Sequence, residues 1–367
     1  MKITDVEVIQ LAKTLDHPHR NSKQTMVRRV FSLVRVQTDE GIDGLGEAWC
    51  DPNVAPGAVA RLRSLAVGTD PFNVEELWNR AFNGAPMYDP KGAAIAAISG
   101  IDIACWDIMG KALGVPVHRL LGGRTRGSIE AYASDLHWLE DAAEMGRQAA
   151  ALVERGFRAV KTHLGVDPDG DVARVRALRN GIGPDVRLMV DINTAFDRRS
   201  AIRFGRRIAE YDITWYEEPL SPMDIDGLRL VRASTGLPIA AGENEYTRWG
   251  FKEQFSREAL DVAMPDVART GGISEMKKII AVADAFGVPV SPHNYSSGVC
   301  SAATLHLLAA CPGTGPLEWD VVHSSIADEL LVEPFRVRNG EVEVPESPGL
   351  GVHLPDAVRE RYGVRPS

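Results

Sequence analysis

Between Lys161 and His293 the chain carries ionisable residues at a nearly constant interval. Asp191, Glu217 and Glu243 lie 26 residues apart, and Lys161, Asp266 and His293 extend the series at intervals of 23 to 30. Three carboxylates brought to one point repel one another unless a cation neutralises them. An all-oxygen set suits a hard divalent ion, with Mg²⁺ the default. One carboxylate at a strand end is adequately explained as a cap for the next helix. Three at one interval, bracketed by Lys and His, are better explained as metal ligands.

The neighbours of this series add acid–base chemistry. Asp266 and His293 stand one interval apart, and a carboxylate on one ring nitrogen fixes the tautomer and raises the basicity of the other. His293 is thus a candidate general base. Lys161 and His163 are two apart, so a strand presents them on one face. The lysine charge is expected to lower the His163 pKa. A neutral His163 then accepts a proton, or Lys161 polarises a substrate carboxylate, on the side of the substrate opposite His293. Glu217 and Glu218 are adjacent, so one faces the metal and the other turns away before Pro219 ends the strand. Glu318 stands near the end of a last strand.

An interval of this size is one strand plus one helix. Apolar runs at 129–134, 159–164, 186–192, 215–218, 239–243, 262–266, 288–293 and 316–319 alternate with helical patterns such as 142–155, 200–211 and 273–286. Seven or eight such strands imply an α/β fold with a parallel sheet, and eight close a barrel whose active site lies at the carboxyl ends of the strands. A doubly wound open sheet is the alternative, but no G-x-G-x-x-G follows a first strand. Residues 1–125 read as α+β: strands at 3–11 and 30–36, a Gly-rich strand through Gly44 and Gly46, then helices. The apolar helix Ala93–Leu113 stops at Gly114, a C-cap residue, with Pro116 beyond. Residues 126–334 form the barrel. The tail, 335–367, returns to strand and turn signals, notably Asn339-Gly340, and is expected to pack back on the N-terminal part.

The 367 residues include 41 basic and 50 acidic side chains, a net charge of −9. That balance disfavours nucleic-acid and anionic-membrane partners. No uncharged apolar run reaches the roughly 18 residues of a membrane span. The four cysteines lack C-x-x-C spacing, as expected for reduced thiols in a cytoplasmic protein.

These residues together resemble the enolase superfamily, and within it the mandelate racemase-like subgroup, over nearly the whole chain. Ile101-Asp102-Ile103-Ala104-Cys105-Trp106-Asp107 and Leu120-Leu121-Gly122-Gly123 resemble the signature of its capping domain. Val190-Asp191-Ile192-Asn193, Trp215-Tyr216-Glu217-Glu218-Pro219 and Gly242-Glu243-Asn244 resemble its metal-ligand strands. Pro265-Asp266 and Ser291-Pro292-His293 resemble its Asp–His dyad, and Leu317-Glu318-Trp319 and Pro348-Gly349-Leu350-Gly351 its closing motifs. The resemblance implies a modified TIM barrel, (β/α)₇β, under an α+β N-terminal capping domain. It implies one Mg²⁺ per subunit on Asp191, Glu217 and Glu243, and a homo-oligomer, from dimer to octamer. It implies removal of the proton α to a carboxylate through an enediolate, with a protonated Glu318 donating to an enediolate oxygen and Asn193 binding substrate hydroxyls. One position departs from the subgroup: Lys-x-Lys is here Lys161-Thr162-His163, which disfavours two-base racemisation.

The leading expectation is a dehydratase converting a sugar acid, aldonate or aldarate, to a 2-keto-3-deoxy acid. The alternatives are an epimerase, racemase or cycloisomerase on a related hydroxy acid or lactone, and a barrel that binds metal and ligand without turnover. A loop around His17, His19, Arg20, Asn21 and Lys23 is expected to touch substrate, with His17 and Arg20 as binding residues. Its polar, basic content favours a polyhydroxy acid over an aromatic one. His137, Trp49 and Tyr88 are further candidates.

Overall fold

The computed structural model describes residues 1–84, 89–321 and 325–364; Tyr88 lies outside them. The N-terminal part is a three-stranded antiparallel sheet, β1 (Ile3–Arg20), β2 (Thr25–Thr38) and β3 (Asp43–Glu47), in that order. The first two strands are longer than the apolar alternation predicts. Ile9 pairs with Leu33, and the ladder resumes at His19 with Met26 after an irregularity. The hairpin closes because Asn21 Oδ1 accepts the amides of Lys23 and Gln24, both at 2.9 Å, an Asx turn that fixes the tip. The segment expected as a loop is therefore a projecting strand end. Its tip reaches the barrel: Ser22 Oγ donates to the Ile192 carbonyl at 2.7 Å, and Trp138 N to the Arg20 carbonyl at 3.0 Å.

Helices α1 (Ala55–Ala66), α2 (Val74–Asn83), α3 (Ala93–Leu113) and α4 (Val117–Leu120) follow. By length and composition α3 alone among the described helices would pass for a membrane span, but 83% of its apolar window is buried inside the protein. It is a core helix lying directly on β3. A Cβ on Gly44 or Gly46 would collide with the backbone carbonyl of Ala104 or Gly100, so glycine permits this approach. Gly114, at φ 66°, ends α3 in the left-handed conformation the sequence predicts.

From residue 128 strands and helices alternate. The order is β4 (Ser128–Leu136), α5 (Ala142–Glu154), β5 (Ala159–His163), α6 (Asp171–Ile182), β6 (Arg187–Asp191), α7 (Arg198–Ile208), β7 (Ile213–Glu217), α8 (Ile225–Thr235), β8 (Ile239–Ala241), α9 (Thr247–Ser256), β9 (Val262–Ala263), α10 (Gly272–Ala285), α11 (Gly298–Ala310) and β10 (Leu317–Trp319). The strands β4 to β9 are parallel neighbours in sequence order, and β10 pairs parallel to β4. The seventh strand expected at 288–293 contracts to Val290, which bridges Ala263 on one side and Thr314 on the other. The cause is Pro289 and Pro292, which have no amide to give to a ladder. The single bridge still closes the ring, so the architecture is the (β/α)₇β barrel with an α+β layer over it. Tyr132, Ala159, Met189, Trp215, Ala240 and Met264 pack together as one buried cluster, from strands β4 to β8 and the residue after β9.

After α12 (Ser325–Glu329) the tail divides. Only its last part meets the N-terminal elements, through a Pro116–Gly349 bridge, a Leu350 amide on Asp107 at 2.8 Å and a Leu11–Gly363 bridge beyond α13 (Asp356–Tyr362). Before that, β11 (Val337–Arg338) and β12 (Glu341–Glu343) form a hairpin paired to the barrel strand β4. Residues 128–130 of β4 precede its pairing with β10, and the hairpin covers that edge.

Candidate active site

Strand alternation builds the site from the packed cluster. Two residues beyond Ala159, Met189, Trp215 and Met264 stand Lys161, Asp191, Glu217 and Asp266. Period two keeps the first three on the same, inward face, and Asp266 follows β9. Register then sets their level, since His163 pairs with Asp191 and Asp191 with Glu217. Glu243 follows β8 after Gly242, whose φ of 139° no side-chain-bearing residue adopts readily. Oxygens of Asp191, Glu217 and Glu243 lie within 4.8 Å of one another.

Each carboxylate is oriented by donors. Asp191 accepts from the Asn193 backbone at 2.7 Å and side-chain amide at 2.8 Å. Glu217 accepts from Lys161 Nζ at 2.8 Å and Trp215 Nε1 at 2.9 Å. Burial, reinforced by the charges of Asp191, Glu318 and Glu243, pushes Glu217 up to about 8 against the pull of Lys161. Glu218, in left-handed backbone at φ 38°, turns out of the strand to the Asn244 amide at 3.0 Å. Burial and the charges of Glu243 and Asp191 hold it well above the usual carboxylate range. This concentration of negative charge is the physical case for a divalent cation on an oxygen donor set.

Lys161 is fully buried and sits between Glu217 and Glu318, 2.7 Å from the latter. Burial opposes its charge, but those two carboxylates raise its pKa well above the ordinary value. Lys161 is therefore a fixed cation. Glu318 also accepts from Ser134 Oγ at 2.5 Å and the Asn294 amide at 2.9 Å. Burial would raise its pKa, yet Lys161 and His293 lower it to about 2. In these contacts Glu318 is the acceptor, and the donating role implied by resemblance would need a proton on it when substrate is bound.

His163 also departs from expectation. Its Nε2 meets the Ser134 carbonyl at 3.2 Å, while Nδ1 meets Asn193 Oδ1 and Asp191, each at 3.2 Å. Every partner is an acceptor, an arrangement that favours a proton on both nitrogens. Burial opposes that charge, but the Asp191 hydrogen bond and charge outweigh it and Lys161, raising the pKa to about 9. Like-charge repulsion by Lys161 was the smaller effect.

His293 Nδ1 lies 2.6 Å from Asp266, whose other oxygen accepts the Ala268 amide at 2.7 Å. Nε2 lies on the cavity side, 3.3 Å from Glu243. Trp49, just after β3, stacks on the imidazole at 4.6 Å and donates its own amide to the Ala268 carbonyl at 2.9 Å. Burial lowers the His293 pKa, but Glu243, Glu318 and Asp266 raise it further, to about 9.

Lys161, His163, Asp191, Glu243, His293, Glu318 and Trp49 line one cavity of about 130 Å³ between the barrel mouth and the β1–β2 hairpin, with Asn193, His19, Gln24, His137 and Tyr295 on its walls. His17 and Arg20 do not reach it. His17 falls in the irregular stretch between Thr14 and His19, and it is exposed. Arg20 has the opposite strand parity to His19 and lies over the Trp138 ring at 4.4 Å. Sequence reasoning missed Tyr295 and Gln24. Tyr295 is two residues past His293 in the same loop, a spacing that would have flagged it.

Two family models together span most of the chain: the mandelate racemase/muconate lactonizing enzyme N-terminal domain over residues 3–122 and the enolase C-terminal domain-like model over residues 144–358. The chain is 35% identical over 365 residues to D-galactarolactone cycloisomerase of Agrobacterium fabrum, covering 96% of this chain and 97% of that one. It is 33% identical over 333 residues to arabinonate dehydratase of Saccharolobus solfataricus, covering 89% of each. The solved 3,6-anhydro-D-galactonate cycloisomerase of Zobellia galactanivorans superposes with a TM-score of 0.91 at 33% identity, over 100% of both chains.

Proposed function

Since this chain belongs to the mandelate racemase/muconate lactonizing enzyme family of the enolase superfamily, we propose that it is a Mg²⁺-dependent dehydratase of a sugar acid. The observation that carries the reading is the inequality of its two histidines. Both His163 nitrogens are held by protein acceptors, whereas His293 has Asp266 on one nitrogen and, on the other, the cavity and Glu243, a carboxylate that a bound cation would claim. One imidazole is thus available as a base, which suits elimination from one face and not exchange between two.

Asp191, Glu217 and Glu243 would hold the metal, and Mg²⁺ there supplies fixed positive charge against the charge that develops on a substrate carboxylate. His293 Nε2 takes the α-proton, with Asp266 holding the ring in orientation and stabilising its charge. The C–O bond to the β-hydroxyl then breaks, and the hydroxyl leaves as water with a proton returned by an imidazolium. The resulting enol tautomerises to the 2-keto-3-deoxy acid. Lys161 and His163 hold positive charge on the opposite wall, and Glu318 keeps Lys161 in place.

A cycloisomerase is the second reading, favoured by the similarity to two such enzymes over nearly their full length. It uses the same base but expels a ring oxygen of the substrate in place of water. Incubation with a library of aldonic and aldaric acids, and their lactones and anhydro forms, separates the two. A keto-acid product 18 mass units lighter than its substrate supports the dehydratase, by loss of about one water. Unchanged mass with ring opening supports the cycloisomerase. Solvent deuterium uptake at the α-carbon without keto-acid or ring opening sinks both.

A further inference from the structure

Away from the carboxylates the cavity changes character. Asp135 at the end of β4, His137 just beyond it, His19 from β1 and Tyr295 after the Val290 bridge meet at one point. The Tyr295 hydroxyl lies 3.0 Å from Asp135, 3.2 Å from His19 Nδ1 and 3.3 Å from His137 Nε2. The three groups also fall within reach of a shared metal ion, but the phenol oxygen already contacts all three.

Hydrogen-bond polarity assigns the protons. A carboxylate only accepts, so the single phenolic proton goes to Asp135. The two imidazole nitrogens must then donate to the phenol oxygen. That leaves His19 Nε2 and His137 Nδ1 as lone-pair acceptors, and His137 Nδ1 is buried with no partner among the described residues. The rings are stacked, His19 on His137 at 4.1 Å and His137 on the cationic His163 at 5.1 Å. Burial and this neighbouring ring hold His137 down to about 3, and burial and His137 hold His19 down to about 4. Both rings are neutral at physiological pH.

Among the described residues lining the cavity, the basic side chains beside the carboxylates are Lys161, His163 and His293. Arg29 stacks on Tyr295 at 4.3 Å and His163 on His137, but Arg29 directs its N–H groups to Asp320 and the Tyr295 and Ser296 carbonyls, and both His163 nitrogens face Ser134, Asn193 and Asp191.

We infer that this far end is a neutral, acceptor-bearing subsite for hydroxyl groups, so that the substrate is a monocarboxylate whose distal end carries no ionised group. The inference rests on the sugar-acid reading above and narrows it. A hydroxyl donates to an imidazole lone pair; a second carboxylate, which only accepts, would face lone pairs and Asp135 with no cationic N–H directed at it to offset its desolvation.

The test measures binding and kcat/KM of the full Mg²⁺-loaded protein with five- and six-carbon aldonates and the corresponding aldarates. The expected result is a preference for the aldonates of about 100-fold. In His137→Phe, which keeps the stacked ring but removes the nitrogen, KM for aldonates should rise about tenfold with kcat little changed. In Gln24→Arg, at the exposed hairpin tip, the aldonate preference should shrink about tenfold because a cation has been supplied. Equal or better handling of aldarates by the unmodified protein overturns the inference and leaves the dehydratase reading intact. So does an aldonate-to-aldarate ratio that neither variant moves, since a merely structural role would weaken both series alike. If neither series is turned over, the dehydratase reading fails, and the order of binding still decides the subsite.

Discussion

At the scale of single residues, the site is a contest between burial and neighbouring charge. Lys161, His163 and His293 are all buried, and burial alone would discharge them. Lys161 and His163 stay cationic because a carboxylate stands within about 3 Å, and at His293 the Asp266 contact strengthens the ring as a proton acceptor. His293→Asn keeps a side chain of similar reach toward Asp266 but offers no titrating nitrogen to the cavity. Turnover should fall by about 10²–10⁴-fold with KM little altered. Activity within tenfold of the unmodified enzyme would show that another group removes the proton. The residues of this contest were legible in the sequence, because type and interval placed Asp191, Glu217, Glu243, Asp266 and His293 at strand ends. Their protonation was not. The sign of the His163 shift depends on whether Asp191 or Lys161 is nearer, which only strand register decides.

At the scale of elements, β-strand periodicity predicted most of the barrel. Its one large error, the seventh strand, came from reading apolar residues without weighing two prolines that cannot join a ladder. The hairpin reaching Arg20 was also unread: its distal half is polar on both faces and owes its order to pairing and to the Asn21 turn. Helix α3 carries a subtler feature. Asp102 is buried, accepts the Ser274 amide at 3.0 Å, and leaves its other oxygen unpartnered. Burial, against the opposing hydrogen bonds of Ser274, raises its pKa to about 7. A folded-state pKa above the unfolded value of about 4 means that the folded state binds the proton more tightly. This contribution to stability is complete below about pH 4 and is lost as pH rises toward 7. Asp102→Asn removes that dependence. Its denaturation midpoint relative to the unmodified protein should climb steadily between about pH 4 and 7 and level off above. Parallel pH profiles for the two proteins would show that Asp102 ionises normally.

At the scale of the whole molecule, the cavity exists only where the N-terminal sheet meets the barrel. Buried polar contacts fasten the two: Glu47 accepts from the Ser296 and Ser297 hydroxyls, both at 2.5 Å, and Arg29 pairs with Asp320. A cation bound by Asp191, Glu217 and Glu243 should therefore stabilise the entire fold. Mg²⁺ at about 100 times its Kd adds about 2.7 kcal/mol, or about 3 °C in Tm for a chain of this length. Chelation should reverse the gain, and Asp191→Asn should abolish it; a Tm indifferent to Mg²⁺ would remove the metal from the site. The Trp49 stack has a further consequence. Its indole lies between His293 on one face and the Arg269 guanidinium on the other, at 4.6 Å from each. The layer that shapes the substrate cavity thus also holds the proton-abstracting ring upright. A chimera carrying a relative's N-terminal sheet would inherit that relative's grip on the imidazole along with its cavity walls, so rate and selectivity in this architecture are transplanted together.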